Sequence, residues 1–276
     1  TSARPPLIEQ VLPRRSELAR AAAGERHQRQ LIATNIDTVM VISGLDGDFN
    51  PARIDRYLML VEGSGARAVV ILTKADTADN IEEAIAEMRK RVPAQTGIHA
   101  INAKSAESIA PLLHYFGPGT STVLVGSSGV GKSTLTNTLL GESRQATGAV
   151  RESDGRGQHT TTARSLFRLP GGACVIDTPG LRALRPDADE ARVAATFADV
   201  TALAQQCRFR NCTHREEPGC AVREGVENDR LRNYHKLLRE ARRDTMSALD
   251  RQRQVAQWKA RGRAGAARAK AKREPT

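Results

Sequence analysis

Aromatic side chains are scarce in this sequence: Trp, Tyr and Phe together make up 3% of 276 residues. So few flat rings exclude base stacking as the dominant way of holding a nucleic acid. Cysteine is sparse too. Four cysteines are too few for a disulfide-built scaffold, and no secretory segment is visible that would place the chain in an oxidising compartment. No apolar run is long enough to span a bilayer as a helix. Acidic residues are outnumbered 31 to 42 by Lys and Arg, giving a formal net charge of +11, and such an imbalance favours a polyanionic partner. The length suits one α/β domain of about 170 residues plus a smaller module.

What is present begins with Gly126, Ser127, Ser128, Gly129, Val130, Gly131, Lys132 and Ser133. They fit G-x-x-x-x-G-K-S/T, with a strand-like run at 121–125 before them and a helical run at 134–140, opened by Thr134, after them. The glycines let the backbone curl so that successive N–H groups point at a phosphate. Lys132 reaches the β- and γ-phosphates, and the Ser133 hydroxyl ligates Mg²⁺. The implied ligand is a nucleoside triphosphate. Downstream, the apolar run 172–176 ends in Asp177-Thr178-Pro179-Gly180. Asp177 is placed to hold the Mg²⁺ shell, and the Gly180 N–H is placed to meet the γ-phosphate.

Base selection points upstream. The apolar run 68–72 ends in Thr73-Lys74-Ala75-Asp76, which resembles the Asn/Thr-Lys-x-Asp motif of GTPases, whose carboxylate accepts from guanine N1–H and the exocyclic amine. The strand-like run 99–101 leads into Asn102-Ala103-Lys104-Ser105, which resembles the Ser-Ala-Lys loop that contacts guanine. Thr73 stands where Asn is more usual, a change expected to keep the Lys74 and Asp76 contacts and to loosen the loop. The order along the chain is base motifs, phosphate loop, switch, γ-phosphate sensor. An ordinary small GTPase begins with the phosphate loop, so this order resembles a circular permutation, which costs little because the termini of a compact α/β domain lie at its surface.

Cys207, Cys212, His214 and Cys220 follow in the spacing C-x4-C-x-H-x5-C. Three thiolates and an imidazole complete a closed tetrahedral Zn²⁺ shell, the signature of a structural metal. Free thiols in a loop are the alternative; three cysteines cannot all pair with one another. Cys174 stands apart as a small core residue of the strand before Asp177.

Taken together, the permuted motifs, the opening segment 11–16, the run 32–37, the cysteine–histidine cluster and the helix after it resemble the ribosome small-subunit-dependent GTPase family (RsgA, also called YjeQ or EngC). The resemblance implies a circularly permuted P-loop GTPase domain followed by a small α-helical zinc-binding domain. Members usually begin with an oligonucleotide-binding barrel, of which only a remnant linker is expected here. The expected division is 1–13 for that linker, 14–184 for the GTPase domain, 185–250 for the zinc-binding domain and 251–276 for a basic tail. The resemblance also implies bound Mg²⁺ with GTP, one structural Zn²⁺, and the small ribosomal subunit and its rRNA as partners. The chain is expected to be a cytoplasmic monomer.

The residue after Gly180 is Leu181, which cannot orient an attacking water as a Gln would. The resemblance assigns that role to His159, beside Thr160-Thr161-Thr162; an exposed loop histidine is the other reading. Thr161 or Thr162 is expected to ligate Mg²⁺. The stretch 251–273 holds nine Lys or Arg and no acidic residue, and its interleaved Ala and Gly cannot form a core. It is expected to contact rRNA phosphate, its lone Trp258 aside. The implied function is GTP hydrolysis stimulated by the small subunit during its late maturation. A nucleotide-gated rRNA-binding assembly chaperone, with incidental hydrolysis, is the alternative. An ATP-using enzyme is disfavoured by Asp76.

Overall fold

The computed structural model describes residues 7–11, 13–21, 29–143, 164–179 and 189–245. A two-stranded antiparallel hairpin, β1 (Glu17–Ala21) and β2 (Arg29–Thr34), comes first. A six-stranded sheet follows, built from β3 (Thr38–Gly44), β4 (Arg67–Thr73), β5 (Gly97–Ala100), β6 (Ser121–Gly126), β7 (Ser165–Arg168) and β8 (Cys174–Asp177) in the spatial order β5-β4-β3-β6-β8-β7. Every neighbouring pair is parallel except β7 with β8. The helices α1 (Pro51–Val61), α2 (Ile81–Arg91), α3 (Ala106–Ile109) and α4 (Lys132–Leu140) make the crossovers.

The central strands are apolar on both faces because both are covered. Val39, Val41, Val70, Leu72, Val123 and Val125 pack toward α1, α2 and the hairpin. Met40, Ile42, Val69, Ile71 and Leu124 pack on the other side, toward α4. α1 starts where Asn50 accepts from the Arg53 amide at 3.0 Å and Pro51 supplies a preset φ with no donor to lose.

The carboxyl-terminal module consists of α5 (Glu190–Thr196), α6 (Ala198–Ala204), α7 (Ala221–Gly225) and α8 (Asn228–Thr245). α5 and α6 are two separate helices, broken at Phe197 (φ −109°, ψ 50°). The break follows from packing: the Phe197 ring is fully buried, and the Arg230 guanidinium lies 4.1 Å from its centroid. Met59 of α1 joins the core of this module. Cys174, expected in the core, is only half-buried, on a strand that pairs with the edge strand β7. The hairpin was not foreseen, because its strands carry charges rather than a clean alternation of apolar residues.

Candidate functional site

Because β4, β5, β6 and β8 run parallel, their carboxyl ends deliver the four singled-out segments to one edge of the sheet. The phosphate loop leaves β6 at Gly126, where a Cβ would stand 2.3 Å from the Ile42 carbonyl oxygen, so only glycine lets the loop lie against β3. Gly129 and Gly131 then take φ of 80° and 91°, the left-handed region that glycine tolerates. α4 starts directly after Gly131 with no side-chain cap, which leaves its first-turn amides facing the loop.

Lys132 is buried, and its ammonium donates to the carbonyls of Gly126 (3.2 Å) and Ser127 (2.6 Å). Burial lowers its pKa to about 8, against the opposing pull of the Asp177 carboxylate. Ser133 Oγ donates to Asp177 Oδ2 at 3.1 Å, so the two oxygen donors expected to hold Mg²⁺ already stand together. That pairing of a hydroxyl with a fully buried carboxylate fits a hard cation that takes oxygen ligands. Thr178, next along, donates to the Leu124 carbonyl at 2.7 Å and pins the end of β8 to β6.

Both base segments meet the phosphate loop at Gly131. A Cβ built there would lie 3.7 Å from Thr73 Oγ1 and 3.8 Å from the Ala103 Cβ. Thr73 is fully buried and donates from Oγ1 to the Val130 carbonyl at 2.6 Å and toward Ser43 O at 3.3 Å. The expected loosening by Thr73 is therefore corrected: its hydroxyl ties the base strand to the phosphate loop. Ala103 is tied by its carbonyl, which accepts from Thr138 Oγ1 of α4 at 2.7 Å. Asn102 accepts from the Lys104 amide at 2.9 Å, and its own amide donates to Ser108 Oγ at 2.8 Å.

Lys74 adopts a left-handed backbone (φ 62°), and its ammonium bonds the Asp46 carboxylate. Burial alone would raise the Asp46 pKa, but Lys74 and the Asp48 amide bring it below its ordinary value. Ala75 donates to Ile101 O at 3.2 Å, which joins the two base loops. Asp76 then projects from a short 3₁₀ turn, exposed and without a hydrogen bond or ion pair to any described residue. Its carboxylate is available to a ligand. Gly180, His159, Thr161 and Thr162 lie outside the described residues.

At the far end of the chain, the ligand atoms of Cys207, Cys212, His214 and Cys220 all lie within 4.8 Å of one another. Cys207 Sγ is 3.9 Å from Cys220 Sγ, and His214 Nδ1 is 3.6 Å and 3.4 Å from those two sulfurs. Tetrahedral zinc, with bonds of about 2.3 Å to sulfur and about 2.0–2.1 Å to nitrogen, sets sulfurs roughly 3.8 Å apart and nitrogen roughly 3.5 Å from sulfur. The donor set fits zinc. Burial and the neighbouring His235 lower the His214 pKa, which favours the neutral imidazole a metal requires. Glu217 braces the loop by accepting from the amides of Thr213, Arg215 and Glu216 at 2.8, 2.9 and 3.1 Å.

A family model for the RsgA GTPase matches residues 11–186. The chain belongs to the RsgA GTPase family. It is 54% identical over 235 residues to the small ribosomal subunit biogenesis GTPase RsgA of Xanthomonas campestris pv. campestris, covering 83% of this chain and 65% of the relative. Against the RsgA of Xanthomonas axonopodis pv. citri it is 52% identical over 238 residues, covering 84% and 66%. The chain thus spans about two thirds of the length of these relatives. The crystal structure of YjeQ from Thermotoga maritima matches with TM-score 0.60 at 27% identity, covering 85% of this chain and 78% of that one. The crystal structure of YloQ, a circularly permuted GTPase, matches with TM-score 0.56 at 22% identity, covering 87% of this chain and 84% of that one. The permuted α/β fold read from the motif order is the fold of this RsgA family member.

Sequence reading missed the residues that brace the site. Arg53 donates to Ser127 Oγ at 3.0 Å, Thr138 holds Ala103, and Asp46 holds Lys74. None belongs to a motif. Only the position of Asp46, just past a strand that neighbours both the base strand and the phosphate-loop strand, could have drawn notice.

Proposed function

We propose that the chain binds GTP with Mg²⁺ and hydrolyses it to GDP and phosphate while serving maturation of the small ribosomal subunit. The observation that carries this reading is the convergence of three segments on Gly131, with Lys132, Ser133 and Asp177 on one side and the exposed Asp76 on the other. Lys132 exchanges its loop carbonyls for the β- and γ-phosphates, and Ser133, Asp177 and a switch threonine, Thr161 or Thr162, hold the metal. Thr73, Lys74, Ala75, Asp76, Asn102, Ala103 and Lys104 form the guanine seat, and the Gly180 amide reads the γ-phosphate. Mg²⁺ supplies charge neutralisation between the phosphates when bound. His159 orients the attacking water in place of the missing glutamine.

Docking on rRNA falls to the zinc module and the basic tail. Arg208, Phe209, Arg210 and Arg215 are exposed around the cysteine–histidine cluster, and the three guanidiniums have no acidic partner among the described residues. No helix among the described residues is long and apolar enough to cross a membrane, and a cytoplasmic monomer acting on a larger particle accords with that. Leu181 favours a low unaided rate, which keeps one other reading alive: an assembly chaperone gated by nucleotide binding, with incidental turnover.

Phosphate release from GTP and from ATP, with and without purified small subunits, separates these readings. The GTPase reading predicts GTP-specific turnover that rises strongly with subunits and is lost in His159→Ala. Turnover unchanged by subunits would favour the chaperone.

A further inference from the structure

α1 presents two faces with different partners. On one, Arg53 stands 2.5 Å from Asp48 Oδ2 and donates to Ser127 Oγ of the phosphate loop at 3.0 Å. Tyr57, one turn later, is buried and also hydrogen-bonds Ser127. The other face carries residues 52, 55, 56 and 59, a spacing that lines one side of a helix. All four turn to the carboxyl-terminal module. Ala52 O accepts from Asn233 Nδ2 (3.2 Å), Arg56 forks onto Glu240 (2.6 and 2.9 Å), and Met59 enters the core of the module.

At the centre is Asp55, fully buried. It accepts from Arg91 at 3.1 Å and Asn233 at 2.9 Å. Arg230 Nη1 stands 2.7 Å from Asp55 Oδ1 as an ion pair. Arg230 continues to Asp199 (2.8 Å) and to the carbonyls of Thr196 (3.1 Å) and Arg91 (3.2 Å). Charges this deeply buried tolerate their partners and little else: withdrawing one leaves the other uncompensated out of water. The seat of the module on α1 is therefore defined rather than free to slide.

We propose that Arg53 is a positioning residue of the phosphate loop, and that α1 links nucleotide occupancy to the seating of the carboxyl-terminal module. The link runs Ser127, Arg53, α1, Asp55 and Arg56, α8. It runs through the helix that follows β3, and β3 and β8 flank the phosphate-loop strand β6 on opposite sides, so it operates with GDP as well as GTP. It rests on the guanine-nucleotide reading of the loop. Linkage is reciprocal: whatever the nucleotide does to α8, the seating of α8 does to nucleotide affinity.

The test is hydrogen exchange of the α8 amides with and without saturating GDP and Mg²⁺, in the wild type and Arg53→Ala. In the wild type GDP should slow exchange in α8 by about fivefold or more, the lower range of site-to-site coupling, and in Arg53→Ala bound GDP should leave it unchanged. Equal slowing in both proteins, or none in the wild type despite bound GDP, would overturn the proposal. Failure of the wild type to bind GDP would instead sink the guanine-nucleotide reading and the proposal with it. A second arm needs no change near the loop. Glu240→Arg should weaken GDP binding by about fivefold, and adding Arg56→Glu should restore it. Unaltered affinity in Glu240→Arg would count against the link.

Discussion

The nucleotide edge and the cysteine–histidine cluster hold their functional atoms by different means. At the nucleotide edge the strands do the work: loops leave a sheet whose central strands are buried on both faces, and neutral hydrogen bonds such as Thr73 to Val130 O fix their spacing. Around the cluster the described residues form no sheet. α5, α6 and α7 are only five to seven residues long, lengths at which helices are marginal without outside help. Their apolar core includes Cys220 of the cluster itself. One region builds a site on a fold, and the other builds a fold on a site.

Removing the metal should therefore break the second region and spare the first. Chelation, or Cys220→Ser, should withdraw on the order of 10 kcal/mol of metal-binding free energy from the module. Circular dichroism should record lost helix, while GDP binding survives with reduced affinity. Unchanged helix content after verified metal loss would contradict this division.

A smaller effect is expected from Thr73→Val, which keeps the shape and deletes the bond to the phosphate loop. It leaves the buried Val130 carbonyl without that donor, at a cost of about 1–3 kcal/mol. GDP titration should record weaker affinity in that range, and denaturant unfolding of the free protein a loss of stability.

The smallest effect is on pH dependence. With the Lys132 pKa lowered to about 8 in the free loop, the lysine is charged below that pH and ready for phosphate. Above it, binding must take up a proton, since phosphate charge returns the lysine toward its ordinary value. GDP affinity should be flat below pH 8 and fall above it, by up to about tenfold per unit. A profile flat to pH 10 would show that Lys132 never sheds its proton in the free loop.

How legible this was from residues alone also differs between the regions. The phosphate loop announces itself because the turn demands Gly126 and Gly131, and the charge demands Lys132, at fixed offsets. The cluster does so because metal geometry restricts ligand types. What joins them was invisible. Asp55 and Arg230 belong to no motif and are of types usually solvated, yet both are buried, because their partners arrive from segments far apart in sequence. The break at Phe197 was hidden for a similar reason: local helix preference ran through it, and the core of the module overrode it.

The central claim is that the base loops and the phosphate loop form one guanine-nucleotide seat with Asp76 as its selector. The direct measurement is equilibrium binding of GDP, ADP and xanthosine diphosphate to the wild type and to Asp76→Asn. Xanthine carries an oxygen where guanine carries the exocyclic amine, so exchanging the carboxylate for an amide should move preference from GDP to xanthosine diphosphate, with ADP weak throughout. Undiminished GDP binding in Asp76→Asn, or ADP binding equal to GDP in the wild type, would contradict the account.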